Sequence, residues 1–407
     1  MTTSPHRRRA RGTGLLGAAA LLALTACSSG AAGGSPTADG TPAATGGSTL
    51  AAACGDTVDV QLPWWPGVDY AFLFQLIDGE GTVDTDENTY SGEIGDTGVE
   101  LRLRSGGPAA GYQSGQSVYY QDPDIDLVVE AQDGQVALAG DLPTVSVFSY
   151  YDTYPVVLLW GEQSWDFRSL ADIRASGVPV LAYGTSSYVT ALEQSGDLDP
   201  AQVDGSFDGS PSRFVAEDGA IVQQDYITTA PYLYEHATEA WGKPIELLSL
   251  NSAYPIYQTT LQVRSDRLES YAPCLTELVP LVQQAAVDYA LDPARTNAVL
   301  ADYTAQLPGV GVVLDTDLLQ SANAAQLKYG LVRNGVDGTL GSFDLDRVQD
   351  EIDLLTPAFE SAGTEVPDLT PEDIATNRFL DPSIALPADV PVPDNDLPDD
   401  VPGLDLD

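Results

Sequence analysis

The sequence is poor in positive charge. Lys and Arg number 17 against 60 Asp and Glu, for a net charge of −43, and only Lys243 and Lys328 are lysines. A surface this negative repels phosphate backbones and anionic headgroups, so nucleic-acid binding is excluded. Histidine is as scarce: beyond His6 there is only His236, so no histidine pair can build a metal centre. His236 reads as a structural residue on a helix. Cys-x-x-Cys, the phosphate-loop Gly-Lys-Ser/Thr and the Gly-x-Ser-x-Gly elbow are all missing. Carboxylates are so common that no acidic pair stands out. These absences argue against an enzyme, and no cofactor or metal is expected. No run approaches the ~18 apolar residues of a membrane span.

The amino terminus is informative. Arg7, Arg8, Arg9 and Arg11 precede a short apolar stretch, Leu15 to Leu24, which ends in Leu24-Thr25-Ala26-Cys27. This pattern reads as a lipoprotein signal peptide over 1–26, with Cys27 the lipidated first residue of the mature chain. The plainer alternative is a signal peptide that happens to contain a cysteine. Lipidation would anchor the protein on the outer face of the cell membrane. Residues 27–55 are mostly Gly, Ser, Thr, Ala and Pro and read as a flexible tether. The leader holds no acid and four of the 17 basic residues, which leaves 13 basic against 60 acidic and a mature net charge of −47. Such a charge suits high salt, where screening weakens self-repulsion. Cys54 and Cys274 remain, and outside the cytoplasm such a pair tends to oxidise. Two unrelated buried thiols are the alternative.

About 350 residues follow the tether, enough for two lobes. Apolar alternation or runs mark strands at 57–62, 99–104, 126–130, 144–148, 155–160, 178–183, 225–228, 245–250 and 256–263. Helical stretches lie between them, including 69–76 and 167–175, the latter stopped by Gly177. The acidic, Gly-rich run 78–97 reads as a loop. The fold class is therefore α/β, and the continuous runs 155–160 and 178–183 are of the kind buried in parallel sheets. From Arg267 onward, apolar residues recur every three or four positions, which predicts a helical C-terminal segment that Pro273 and Pro280 should kink or interrupt. The acidic, Pro-rich stretch 387–407 reads as a disordered tail.

Two strand-to-helix turns offer a binding chemistry. Tyr183-Gly184-Thr185-Ser186-Ser187-Tyr188 would present free backbone N–H groups and two serine hydroxyls. N-capping by a serine is its bland reading. Thr228-Thr229-Ala230-Pro231 makes the second turn, with Thr229 as N-cap of a helix running to about Trp241. Both would face the carboxyl edge of a sheet, where open α/β sheets bind ligands. Trp64, Trp65, Tyr112, Tyr150, Tyr188 and Tyr254 sit at strand ends or in early loops, where rings can sandwich a flat molecule.

Longer segments resemble a known family. Val58-Asp59-Val60-Gln61-Leu62-Pro63-Trp64, Asp124-Ile125-Asp126-Leu127 and Ser169-Leu170-Ala171-Asp172-Ile173 are similar to segments of ABC-transporter solute-binding proteins. The group is that of nitrate, sulfonate, taurine and thiamine-pyrimidine-precursor binders. Cys274-Leu275-Thr276-Glu277-Leu278-Val279-Pro280, Asp337-Gly338-Thr339-Leu340-Gly341 and Thr376-Asn377-Arg378-Phe379-Leu380-Asp381-Pro382-Ser383-Ile384 resemble one branch of it. The resemblance spans Val58 to Leu386. It implies a type II periplasmic-binding-protein-like fold, with lobe one at 56–148 and 255–386 and lobe two at 149–254. It also implies crossings near 147–153 and 249–257, a small-molecule ligand held between the lobes, permease and ATPase partners, and a monomer. By that analogy Trp64, Trp65, Tyr112 and Glu130 present lobe one. Ser186, Ser187, Tyr188, Asp225 and Thr228 present lobe two, with Tyr150 and Tyr254 near the hinge. The acidic run 78–97 departs from the family pattern, so the substrate does not carry over. Negative potential favours a flat neutral or cationic heteroaromatic over a nitrate- or sulfonate-type anion. A relative that makes thiamine pyrimidine enzymatically would need a reactive lysine and histidine, which this chain lacks in the expected cleft. A sensor lipoprotein without transport is a third reading.

Overall fold

Val58, Val60 and the run Leu127–Val129 are fully buried at the centre of a seven-stranded sheet. The computed structural model describes residues 49–404, apart from Thr185, Gly311 and Val312. The signal-peptide stretch, Cys27 and most of the tether therefore lie outside the described residues. Strands β1 (Thr57–Gln61), β2 (Thr82–Asp84), β3 (Thr89–Glu93), β4 (Glu100–Arg104), β5 (Leu127–Glu130) and β6 (Thr144–Ser149) come before the first crossing. β7 (Val156–Gly161), β8 (Val180–Leu181), β9 (Val203–Asp204), β10 (Val222–Tyr226) and β11 (Ile245–Ser249) follow, and β12 (Thr260–Arg264) returns. The first sheet has the order β2-β3-β4-β1-β5-β12-β6 and the second β11-β7-β10-β8-β9. β1 runs parallel to β4 and β5, whereas β12 is antiparallel to β5 and β6.

Several expectations need correction. The run 78–97 is not a loop, because β2 and β3 form an antiparallel hairpin that extends the first sheet. Tyr90 and Ile94 supply its buried side, and Tyr90 packs its ring against Phe74 and Tyr303. The apolar run 155–160 does not mark a parallel strand: β7 is antiparallel to both β10 and β11. All six of its residues are buried, so its continuous hydrophobicity reports burial on both faces and not strand direction. Thr49–Cys54, placed in the tether, form a helix with Leu50 buried. The helix Leu268–Leu291 continues through Pro273 and Pro280 without interruption. After Thr229, whose side chain caps nothing, the helix is a short Ala230–Tyr232 turn followed by the π-helical turn Leu233–Ala237. Gly177 ends the Leu170–Ser176 helix at φ 70°, in the left-handed conformation that favours glycine.

Cys54 and Cys274 are joined by a disulfide, with Cα atoms 4.6 Å apart. The bond fixes the short N-terminal helix to the long Leu268–Leu291 helix.

The chain passes between the sheets twice, at 150–155 and 250–259. Both passages are packed with tyrosines. Tyr150 stacks on Phe72 at 4.5 Å and on Tyr151 at 5.0 Å, and Tyr154 meets Tyr254 edge-on at 5.0 Å. Arg347 ties the passages together. It donates to the carbonyls of Pro255 and Asp152 and covers the ring of Tyr257 at 4.0 Å. Its helix, Leu345–Ser361, packs on the Gln132–Leu138 helix of the first half and on Ser187–Ser195 of the second.

The stretch from 387, expected to be disordered, lies against the body as far as Leu404. Leu397 and Val401 are buried. Lys328 donates to the Leu397 carbonyl and Tyr329 to that of Pro398, while the Ser249 amide donates to the carbonyl of Pro402. Proline lacks an amide hydrogen but keeps its carbonyl. A proline-rich strap can therefore dock by accepting hydrogen bonds that its own composition does not forbid. Charge adds to this: Asp396 meets His236, Asp399 meets Lys328 and Asp400 meets Arg168.

Candidate functional site

The carboxyl ends of β1, β5 and β10 bring a set of acids and phenols together between the two sheets. Glu130 ends β5. Its carboxylate accepts the backbone N–H of Gly115, the first residue of the Gly115–Gln121 helix. A Cβ on Gly115 would lie 2.5 Å from Val128 and 2.7 Å from the Glu130 carboxylate, so only glycine lets that amide approach. Asp133 lies in the first turn of the next helix. It receives the Tyr254 hydroxyl at 3.0 Å, which ties the first half to the second passage. Asp69 follows β1 and accepts the Tyr151 hydroxyl at 2.6 Å. Asp225 lies near the end of β10 and accepts the Tyr226 amide at 2.8 Å.

Asp69, Glu130, Asp133 and Asp225 are half-buried, touched by solvent but crowded by protein on most sides. Burial therefore dominates their ionisation. It pushes Glu130 up to about 7, against the pull of the Gly115 amide. It lifts Asp225 to about 7 as well, opposed by the Tyr226 amide and the Tyr234 hydroxyl. Asp69 and Asp133 are raised for the same reason, less the help of Tyr151 in one case and of Tyr254 and Ser187 in the other. The Tyr226 hydroxyl is raised by burial and then by the charges of Asp69, Asp225 and Asp133. Tyr70 is raised by burial and then by Asp69, Tyr226 and Glu130. Groups from both halves thus act on one another between the two sheets.

The aromatic candidates divide. Trp64, 43 % exposed, and Tyr112, 74 % exposed, lie with ring centroids 6.0 Å apart at a tilt of 59°. Tyr183, half-buried and pushed up to about 12 by burial, also feels Asp225 and Tyr112. Trp65, Tyr150, Tyr188 and Tyr254 are instead buried in the core. Tyr188 donates to Gln224 and meets Tyr254 edge-on, so it supports the passages and offers no free face. Ser186 stands at the N-cap of the Ser187–Ser195 helix without capping it through its side chain. The Thr228 hydroxyl is buried and has no partner among the described residues. The same holds for both polar atoms of the Gln132 side chain.

Asp69, Tyr70, Asp133, Tyr183 and Tyr226 were not among the sequence candidates. Asp133 and Tyr226 could have been found by extending the strand-end argument one turn past β5 and one residue past Asp225. Asp69 and Tyr70 were hidden inside a helical pattern. His236 donates to Asp396 at 2.8 Å, and with Glu235 these two form a partly exposed trio at the strap.

No family model and no curated protein sequence matches the chain. Solved structures do. The periplasmic aliphatic sulphonate-binding protein SsuA of Escherichia coli superposes with TM-score 0.52 at 15 % identity, covering 84 % of this chain and 98 % of that one. The alkanesulfonate-binding SsuA of Xanthomonas axonopodis pv. citri, bound to MOPS, gives 0.50 at 11 %, covering 79 % and 99 %. A sulfonate-binding SsuA of Methylobacillus flagellatus gives 0.50 at 12 %, covering 79 % and 92 %. With two α/β halves joined by two passages, this chain has the fold of the periplasmic solute-binding proteins of ABC transporters.

Proposed function

We propose that the chain is the exported, lipid-anchored solute-binding component of an ABC importer. It captures a small flat heteroaromatic molecule by closure of its two halves. The supporting observation is the approach of phenols and carboxyls from both halves between the two sheets, which two tyrosine-packed passages join. Open and closed forms exchange, and a solute that touches both halves only when they close shifts the population by its differential affinity. Trp64 and Tyr112 at the rim, with Tyr70, Tyr183 and Tyr226 deeper, supply ring faces and hydroxyls for a planar guest. Glu130, Asp225, Ser186, Ser187 and Thr228 complete the contacts from the strand ends. Trp65, Tyr150, Tyr188 and Tyr254 hold the wall that carries them. Chemistry on the solute is not called for: Lys328 and His236 are engaged by the strap, and Lys243 lies over the Trp241 ring at 4.7 Å.

Cys27 would carry the lipid, and the Ser28-to-Gly47 stretch would lift the body off the membrane. Cys27→Ala is expected to move the protein from the membrane fraction into the medium and to lower cellular uptake of the solute that co-purifies with it. Retention of that variant on the membrane, or uptake unaffected by loss of the protein, would count against this reading.

A further inference from the structure

Asp69 and Glu130 lie about Tyr70, and Asp69, Asp133 and Asp225 about Tyr226, and among the described residues no cation answers them. No lysine or arginine is among the causes that shift Asp69, Glu130, Asp133 or Asp225. The basic side chains are committed elsewhere. Arg102, Arg104 and Arg267 are taken up by Asp59, Asp122 and Asp126 on the first sheet, and Arg333 and Arg347 hold Asp152 in the first passage. The remaining basic residues pair with surface acids, the strap or backbone carbonyls. An anion entering here would meet carboxyls with no positive charge to offset them. Two further observations point to a polar guest. The Gln132 amide and the Thr228 hydroxyl are buried at these strand ends without partners, although buried polar groups are ordinarily paired. The exposed faces of Trp64 and Tyr112 at the rim suit a cation, because the ring quadrupole is negative at the face.

We infer that this site takes a small organic cation, an amine or amidine borne on a flat ring, with its positive group among Asp69, Glu130, Asp133 and Asp225. This rests on the solute-capture reading and deepens it. It also sets the chain apart from the sulfonate-binding proteins whose fold it shares, because a sulfonate needs donors and positive potential where this chain places carboxyls. Glu130 and Asp133 come from the first half and Asp225 from the second, so one cationic head can be shared between halves when they close.

A charge series on one ring tests this: benzamidine, benzamide, benzoate and benzenesulfonate, titrated calorimetrically into the purified protein. Benzamidine is expected to bind at least about ten-fold more tightly than benzamide, with no binding by the two anions. In Glu130→Gln/Asp225→Asn the preference for benzamidine over benzamide should fall to within about three-fold. Thermal unfolding of the variant distinguishes loss of charge from loss of fold. Equal affinities, preference for an anion, a variant that keeps the full preference while folded, or no binding of benzamidine each overturns the inference. The solute that co-purifies, identified by mass spectrometry, separates this failure from failure of solute capture. A bound anion or neutral molecule removes only the cation assignment, and a protein that carries nothing and takes up none of the series loses both.

Discussion

Glu130→Gln combined with Asp225→Asn is expected to raise the unfolding temperature of the solute-free protein at about pH 8 by roughly 3–8 °C. The sign follows from linkage. Both carboxyls are pushed up to about 7 by burial in the folded chain, well above their ordinary values. Between about pH 4 and 7 the folded state therefore binds more protons than the unfolded state, and stability falls as pH rises through that window. Above it, both groups are ionised in a place that disfavours charge. One pKa unit corresponds to about 1.4 kcal/mol, and solvent still reaches both groups and screens them, so about 1–3 kcal/mol per site is expected. The amides remove that cost while keeping an oxygen for the Gly115 and Tyr226 backbone donors. Near pH 4 the variant and the parent should unfold alike. The groups facing these carboxyls are Asp133 and Tyr70 beside Glu130, and Tyr226, Tyr234 and Tyr183 beside Asp225. Unfolding curves for both proteins between about pH 4 and 8 check the prediction. A variant less stable than the parent at pH 8, or with the parent's full pH slope, contradicts it. A site that sacrifices stability in this way is common where function requires it.

Reducing the Cys54–Cys274 bond is the second large effect. The bond closes a loop of 220 residues that holds β1 to β12 and both passages. In the chain-entropy account such a cross-link removes roughly 5 kcal/mol of freedom from the unfolded chain. Helix Thr49–Cys54 buries only Leu50 fully and packs Ala51 against the core, a small contact area once the bond is gone. Cys54→Ser with Cys274→Ser should therefore lose about 3–5 kcal/mol and unfold about 4–7 °C lower. Cys274 is fully buried, so reductant should act slowly on the folded protein and quickly on the unfolded one. Equal unfolding temperatures for the oxidised protein and the double variant would mean that the bond constrains nothing that matters.

The sheet was legible where strand and burial coincide. Val58 and Val60 alternate with polar residues, as do Val145 and Val147 in β6, and β5 is a short apolar run, so their positions could be read within a residue or two. The hairpin at 82–93 was not, because it is largely acidic and polar and within it only Tyr90 is buried, with Val83 packed beside the core. Composition also misled at both ends. An alanine-rich stretch reads as tether until a disulfide and Leu50 hold it as a helix. A chain of aspartates and prolines reads as disorder until Lys328, Tyr329 and the Ser249 amide find its carbonyls. At the site, Ser187 and Thr228 follow from strand-to-helix turns, and Glu130 and Asp225 only from the family resemblance. Which aromatic faces are free could not be read, since Trp64 and Trp65 are neighbours in sequence yet one is exposed and the other buried. Asp133 escaped for a similar reason: among 60 acidic residues it is distinguished only by the partners that folding brings to it.

Scattering of X-rays at small angles tests most directly whether two halves shut upon a positively charged guest. The radius of gyration of the purified protein should shrink when benzamidine saturates it and stay unchanged with benzenesulfonate. Superimposable profiles with benzamidine, or contraction with the sulfonate alone, would contradict the account.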